Sequence, residues 1–484
     1  MSIHTILPTK GVVAIVGLQW GDEGKGKIAD LMASWAHIIA RGTGGANAGH
    51  TIVVNGKSHI FHLVPSGILH DCRGVINIIG RGVAFDPVIM LQELALLQKY
   101  GVSSSNLKIS RNAHLLLPQH MILDRVREAN AGGGKIGTTG KGIGPLYIDH
   151  VGRIGLKVSD LLNPDSFRRK LETNLKAKEA ELFAFATTVS SVMGADPHLK
   201  QFSDKEAETD ISIDAIIEVY TKLGAQLRPM IADTETMLQK AVADGKRVLL
   251  EGAQATLLSI DHGLYPMVTS SDATIAGLAS GVGLLESQVT IVFGIVKAPA
   301  MTRVGSGVFP TELGPAQDKD HPKASINSKD PRRQCVAIRQ IGNEYGATTG
   351  RERRIGWLDL PLLRHALRSG GDQLVLTKVD MMDDCNVIRI CTHYIYEGPD
   401  YDFGDMVLRK GDRVDIALGD DAIMQGMIPV YKTFPGWKKK LTKVRSADDL
   451  PKKLQNIISF IEEAVDRKVA IVSVGPDREQ TVFL

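Results

Sequence analysis

Short apolar, β-branched runs recur along the chain at residues 12–16, 75–79, 107–109, 248–250, 289–296, 374–376 and 469–472. Each has the length of a buried strand, and several end in glycine or a charged residue. Between them lie apolar residues at helical spacing, over 87–99, 166–185, 213–243 and 450–465. Alternation of this kind predicts an α/β protein with a large, mainly parallel central sheet flanked by helices. Ligands of such sheets bind beyond the carboxyl ends of the strands. Length alone suggests about three domains. The glycine and charge motifs, however, run from Gly17 to Arg478 without a break in composition, so residues 1–484 are read as one domain. Segments 186–210 and 314–341, rich in polar and charged residues, are expected to be surface insertions made of solvated loops and helix ends.

Composition changes this picture little. With 57 basic against 54 acidic residues, the net charge of +3 gives no electrostatic ground for a nucleic-acid or membrane surface. Cys72, Cys335, Cys385 and Cys391 form no CxxC pair and are expected to be reduced and structural. The N-terminus has no positive region followed by an apolar run, and no apolar run reaches the roughly 20 residues needed to span a bilayer. A cytoplasmic enzyme is the expectation.

The chemistry concentrates in glycine-rich turns. The first predicted strand runs into GLQWGDEGKGKIADLMA, so a glycine turn leads from a strand into a helix, as in P-loop nucleotide-binding proteins. Backbone N–H groups in such a turn, backed by the helix dipole, cradle phosphate. Gly21 to Lys27 matches GxxxxGK, but Ile28 stands where the P-loop has the Mg²⁺-binding hydroxyl, and Asp22 and Glu23 place acids inside the cradle. Carboxylates there repel phosphate unless a metal or a reaction needs them. GTGGANAGHT, 42–51, lets backbone approach a ligand while Asn47, His50 and Thr51 offer polar groups. His50 suits proton or hydrogen-bond donation to an oxygen, although a histidine after glycine also serves structural ends.

A second glycine-rich loop, 132–155, carries Thr138, Thr139, Lys141 and Arg153, suited to a phosphate monoester. The stretch 251–271 offers Gln254 and Thr269; a turn or capping role explains either equally well. GATTGRERRIGWLDL, 346–360, holds Arg351, Arg353 and Arg354, whose guanidinium forks suit carboxylates. LVLTKVD ends a predicted strand with Lys378 and Asp380, and an Asp carboxylate there accepts two hydrogen bonds from guanine that adenine does not offer. SVGPDR, 473–478, follows another strand and suits the same pocket.

Taken together and in order, WGDEGKGK, NAGHT, GTTGKGIGP, EGAQ, VTSS, TRVG, FPTE, GATTGR, GWLD, TKVD and GPDR resemble the adenylosuccinate synthetase family over nearly the whole chain. The resemblance implies a homodimer that joins L-aspartate to IMP with GTP and Mg²⁺. It implies Asp22 as the base that takes the N1 proton of IMP, and His50 as its partner at the phosphates. Mg²⁺ would take the Asp22 carboxylate and the Gly49 carbonyl. IMP matches Asp22, Asn47, Thr139, Gln254 and Thr269, with Arg153 supplied across the dimer; aspartate matches Val304, Thr348, Thr349, Arg351 and Arg353. GTP matches Glu23, Gly24, Lys25, Gly26 and Lys27, with Lys378, Asp380, Ser473 and Gly475. Three departures stand out: Thr43 where many members have Gln, Glu352 between the arginines, and a long segment from 314 to 341. Glu352 is expected to face outward. A phage-type relative acting on a guanine deoxynucleotide is the rival within ligases, which Asp22 disfavours; a GTP-binding regulatory protein is the rival from another class.

Overall fold

The computed structural model describes residues 3–54, 57–204, 211–314, 323–346 and 350–484. At its centre is a ten-stranded sheet. Its strands are β1 (Gly11–Gly17), β2 (Ile38–Arg41), β3 (Ile76–Ile79), β4 (Leu107–Ser110), β5 (Ile231–Ala232), β6 (Arg247–Glu251), β7 (Val289–Lys297), β8 (Gln373–Thr377), β9 (Lys468–Ser473) and β10 (Thr481–Phe483). The spatial order is β10-β9-β8-β7-β1-β6-β2-β3-β4-β5. Every neighbouring pair is parallel except β9 and β10.

All seven apolar runs of the sequence lie in this sheet, because both of its faces are covered. In β1, Val12, Ala14 and Val16 enter one apolar cluster with Trp20 and Leu250, whereas Val13 and Ile15 enter another with Ile28, Met32 and Phe293. The period-two alternation of a strand thus serves two cores at once. A second sheet of five strands is formed by Ala300–Arg303, Arg354–Asp359, Val387–Tyr396, Arg413–Val414 and Met427–Pro435.

The helix Pro87–Lys99 has the expected bounds, with Asp86 accepting from the N–H groups of Val88 and Ile89 and proline in its first turn. The helix Lys452–Val465 buries Leu454, Ile457, Ile458, Ile461 and Val465, one face at helical spacing.

Two expected helices are each divided. Residues 166–185 form Pro164–Lys176 and Glu179–Ala184, since Lys178 turns inward to an ion pair with Asp149 at 2.5 Å. Residues 213–243 form Ile213–Leu227 and Thr234–Ala243, separated by Pro229 and the short β5.

The segments expected to be solvated insertions are also partly core. Within 186–210, the helices Ala186–Ala195 and Pro197–Lys200 bury Val189, Met193 and Leu199, and Phe202 follows them into the same apolar cluster. Within 314–341, Pro331–Gly342 is a helix that buries Cys335, Val336, Ile338 and Arg339. Polar residues cover the outer faces of these helices, which a composition count reads as a loop, although Gln334 and Arg339 are buried. Cys335, Cys385 and Cys391 are buried and form no disulfide among the described residues. Among the described residues, no helix is long and apolar enough to cross a membrane.

Candidate active site

The glycine-rich segments meet at the carboxyl ends of the parallel strands. After β1 the chain turns through Gly21, Asp22 and Gly24, all at positive φ, into the helix Lys25–Ala33. Glu23 is fully buried and braces this turn. Its carboxylate accepts from the N–H of Gly21 at 2.8 Å and of Gln19 at 3.2 Å, and pairs with Lys25 at 2.5 Å. The second acid of the loop is therefore explained by loop geometry. Its carbonyl accepts from Thr377 Oγ1 at 2.6 Å, tying the turn to β8.

Asp22 is the acid left facing the cleft, with 36% of its side chain accessible, and its carboxylate accepts from Arg353 Nε at 2.5 Å. Burial raises its pKa, but the charges of Arg353, Lys297 and Lys25 outweigh this and hold it below the ordinary carboxylate value. Lys297 is fully buried, donating to Thr302 Oγ1 at 2.7 Å and pairing with Glu344 at 2.8 Å; Glu344 in turn meets Lys378 at 3.1 Å. A line of alternating charges thus runs from Arg353 through Asp22 and Lys297 to the end of β8.

The loop after β2 carries Asn47 and Gly49, and His50 opens the strand His50–Val54 that follows it. The first turn of Lys25–Ala33 packs on it so closely that a Cβ on Gly26 would lie 3.1 Å from His50 Cβ. His50 Nδ1 makes a short bond to the carboxylate of Glu251, the last residue of β6. Glu251 also accepts from Ser66 Oγ at 2.6 Å and Ser66 N at 2.8 Å. Burial opposes charge on Glu251, but His50, Arg41 and Ser66 hold its pKa down to about 2. His50 is itself lowered, by burial and then by Arg41, with Glu251 opposing. In the sequence Glu251 heads EGAQ, and an acid ending a buried strand three residues before Gln254 is the signal that marks it.

Gln254 Nε2 donates to Asn47 Oδ1 at 3.2 Å, while Gln254 Oε1 is buried without a partner among the described residues. Asp22, Arg153, Gln254 and Lys378 are four of the seven non-glycine residues at positive φ among the described residues. Strained backbone collects at functional sites. The arginine loop splits its two expected ligands: Arg353 is buried against Asp22, whereas Arg351 is exposed and reaches the Gly137 carbonyl at 3.5 Å. Glu352 between them is half-buried and bridges to Tyr345, so it is less outward-facing than expected. Val304 follows Arg303, which stacks on Trp20 at 4.6 Å. Thr348 and Thr349 lie outside the described residues. Thr139 is exposed and Thr269 half-buried in loops of this region, and no side-chain hydrogen bond ties either among the described residues.

Lys27 is placed differently from a phosphate-binding lysine. Its ammonium donates to Ser473 Oγ and the Gly475 carbonyl, each at 2.7 Å, and to the Gln480 carbonyl at 2.8 Å. Burial lowers its pKa to about 7, partly offset by Asp380 and Asp477. It thereby joins three of the groups expected at guanine, Asp380, Ser473 and Gly475, at the ends of β8 and β9. Lys25, at the start of the same helix, is held instead by Glu23. For a divalent ion the cleft presents one ionised carboxylate, Asp22; no group of three or more His, Cys, Asp or Glu suited to a metal occurs among the described residues. That donor set fits Mg²⁺, which keeps few protein ligands and takes its remaining oxygens from phosphates and water.

The family model described as adenylosuccinate synthetase matches residues 14–482. The adenylosuccinate synthetase of Halothermothrix orenii is 40% identical over 474 residues, covering 98% of each chain. That of Brevibacillus brevis is 40% identical over 473 residues, again covering 98% of each. A structure of the fully ligated adenylosuccinate synthetase of Plasmodium falciparum is 31% identical with a TM-score of 0.81, covering 98% of this chain and 100% of that one. The succinoaminodeoxyadenylate synthetase of cyanophage S-2L, at 18% identity and a TM-score of 0.53 over 98% of this chain and 95% of its own, shares the fold alone.

Proposed function

The chain belongs to the adenylosuccinate synthetase family and is a GTP-dependent ligase that joins L-aspartate to IMP in purine biosynthesis, and we propose that Asp22 is its general base. The observation that carries this role is the Asp22 carboxylate itself: ionised by its cationic neighbours, accessible from the cleft, and set on a strained turn inside a phosphate cradle. In that position it takes the proton from N1 of IMP, and O6 attacks the γ-phosphate of GTP. The aspartate amine then displaces the 6-phosphoryl group, a far better leaving group than hydroxide, giving adenylosuccinate, GDP and phosphate.

The other roles follow the geometry. Glu251 fixes the ring of His50 through Nδ1, so that Nε2 is the nitrogen offered to the phosphates. The turn's N–H groups and Lys25 hold charge on GTP, while Lys378, Asp380, Ser473 and Gly475 form the guanine pocket that Lys27 braces. Asn47, Thr139, Gln254 and Thr269 take IMP, with Arg153 from a second subunit of a homodimer. Val304, Thr348, Thr349, Arg351 and Arg353 take aspartate. Arg353 is shared: gripping a substrate carboxylate draws it off Asp22, so arrival of aspartate frees the base. Bound Mg²⁺, on Asp22 and Gly49, would neutralise phosphate charge as it develops. A single domain working in the cytoplasm completes the reading.

The test is phosphate release by the purified protein. Release should require GTP, IMP and aspartate together, and full-rate release from GTP alone would sink the proposal.

A further inference from the structure

The backbone at Arg153 is unusual. The helix Ile143–Val151 closes on this residue at φ 61°, with Arg153 N donating to the His150 carbonyl at 3.1 Å. Ile154 N and Gly155 N both donate to the Asp149 carbonyl, at 3.0 and 3.1 Å. Glycine is the usual residue at the left-handed position of such a closing turn. An arginine is kept there against a backbone cost, as strained residues at functional sites are. Its side chain is exposed, and so are Ile148 and Val151 of the same helix, apolar surface of the kind that a second copy covers.

Beneath this turn lies a buried polar network. The Asp149 carboxylate accepts from His120 Nε2 at 2.8 Å, Asn174 Nδ2 at 2.6 Å and Lys178 Nζ at 2.5 Å. The same Asn174 amide donates to the Ile154 carbonyl at 3.0 Å, and its Oδ1 accepts from Gln119 Nε2 at 2.9 Å. All five side chains are buried. His120 Nδ1 accepts from Leu117 N at 3.1 Å, so the proton that meets Asp149 sits on Nε2 of a neutral ring, whose pKa burial lowers. Burial raises the pKa of Asp149, but bonds from His120, Lys178 and Asn174 bring it down to about 2.

The network does little for the helix that carries Asp149, because an acid in a last turn opposes the helix dipole. What it grips is the closing turn. The Asp149 carbonyl takes the two N–H groups that follow Arg153, and Asn174 joins the Asp149 carboxylate to the Ile154 carbonyl. Arg153 is thereby bracketed on both sides by groups anchored to the helices Pro118–Asn130 and Pro164–Lys176.

We propose that Asn174 and Asp149 are positioning residues for Arg153, holding its turn in the conformation that presents the guanidinium to IMP in the neighbouring subunit. The inference rests on the reading of Arg153 as a ligand supplied across the dimer. Affinity for IMP in one subunit is then set by a buried network in the other.

The test is steady-state kinetics of the full chain and of mixed dimers. Arg153→Leu should raise KM for IMP about 10- to 100-fold, as for loss of a charge-assisted hydrogen bond. Asn174→Leu, close in volume, should raise it about tenfold by misplacing that arginine, and move KM for GTP far less. Asp149→Asn, which keeps both size and main-chain bonds, is read in the same way and serves if Asn174→Leu does not fold. Co-expression with Asp22→Asn chains then separates positioning from folding. Each mixed dimer holds one site that takes an intact Asp22 from one chain and an intact Arg153 turn from the other. Sites with the wild-type KM for IMP should therefore reappear for Arg153→Leu, Asn174→Leu and Asp149→Asn alike. Reappearance for Arg153→Leu alone, or an unchanged KM for IMP in the Asn174 and Asp149 variants, would overturn the inference. No rise in KM for IMP with Arg153→Leu, or no rescue of it, would overturn the reading of Arg153 and the inference with it.

Discussion

Each of the two sheets ends a strand in a fully buried acid, Glu251 in the central sheet and Asp359 in the second. Burial pushes both pKa values upward, and only one resists. Glu251 is surrounded by His50, Arg41 and Ser66, which bring it down to about 2. Asp359 has the Tyr394 hydroxyl at 2.6 Å and the Leu362 N–H at 3.1 Å, with Arg364 as a weaker influence, and is pushed up to about 7. Asp359 caps the helix Leu360–Leu367, a task that a neutral acid performs adequately. The difference separates a buried charge maintained by cations, at the mouth of the catalytic cleft, from a buried polar cap tolerated for folding.

The largest expected effect lies in the catalytic cleft. Asp22→Asn should lower kcat by roughly 10²–10⁴, the range for loss of a general base, with KM for GTP little changed. Glu251→Gln should lower kcat by about 10- to 100-fold, a part of that range, because His50 stays but its ring loses its anchor. In a His50→Asn background the same substitution should cost almost nothing in kcat. Additive losses would show that Glu251 acts on the fold and not through His50.

Arg353→Leu should raise KM for aspartate and also alter kcat, since Arg353 touches the base; Arg351→Leu should act on aspartate KM alone. Equal profiles for the two would contradict the division seen between a buried and an exposed arginine.

The smallest expected effect lies in the second sheet. The folded pKa of Asp359 is raised, so its ionisation costs stability that grows as pH rises from about 4 to about 7 and is constant above. Asp359→Asn should therefore gain stability relative to wild type at pH 8 and lose that gain by pH 4, measured by denaturant unfolding, without changing kcat. Glu251 runs the other way: its folded pKa is depressed, so its contribution is present above about 4.5 and is lost as pH falls toward 2.

Much of this was legible in sequence because the central strands are apolar on both faces and the phosphate-binding turns need glycine. What escaped has physical reasons. The strand Ile38–Arg41 is four residues long and follows a helix with no turn signal strong enough to separate it. Val387–Tyr396 and Met427–Pro435 mix exposed and buried residues and find each other across a long insertion. The bond of Arg353 to Asp22 joins residues 331 positions apart, and no local pattern encodes it. Lys27 fits the P-loop consensus, yet the carbonyls that claim it belong to the other end of the chain. The glycine turns, by contrast, sit where they were expected, with Gly21 and Gly24 at the positive φ that glycine accepts without strain.

The central claim is that IMP is activated by phosphorylation at O6 before aspartate attacks. IMP carrying oxygen-18 at position 6 tests it directly, by mass spectrometry of the inorganic phosphate released in one turnover with GTP and aspartate. Transfer of the label into phosphate is the predicted result. Unlabelled phosphate, with the label leaving in water, would contradict it.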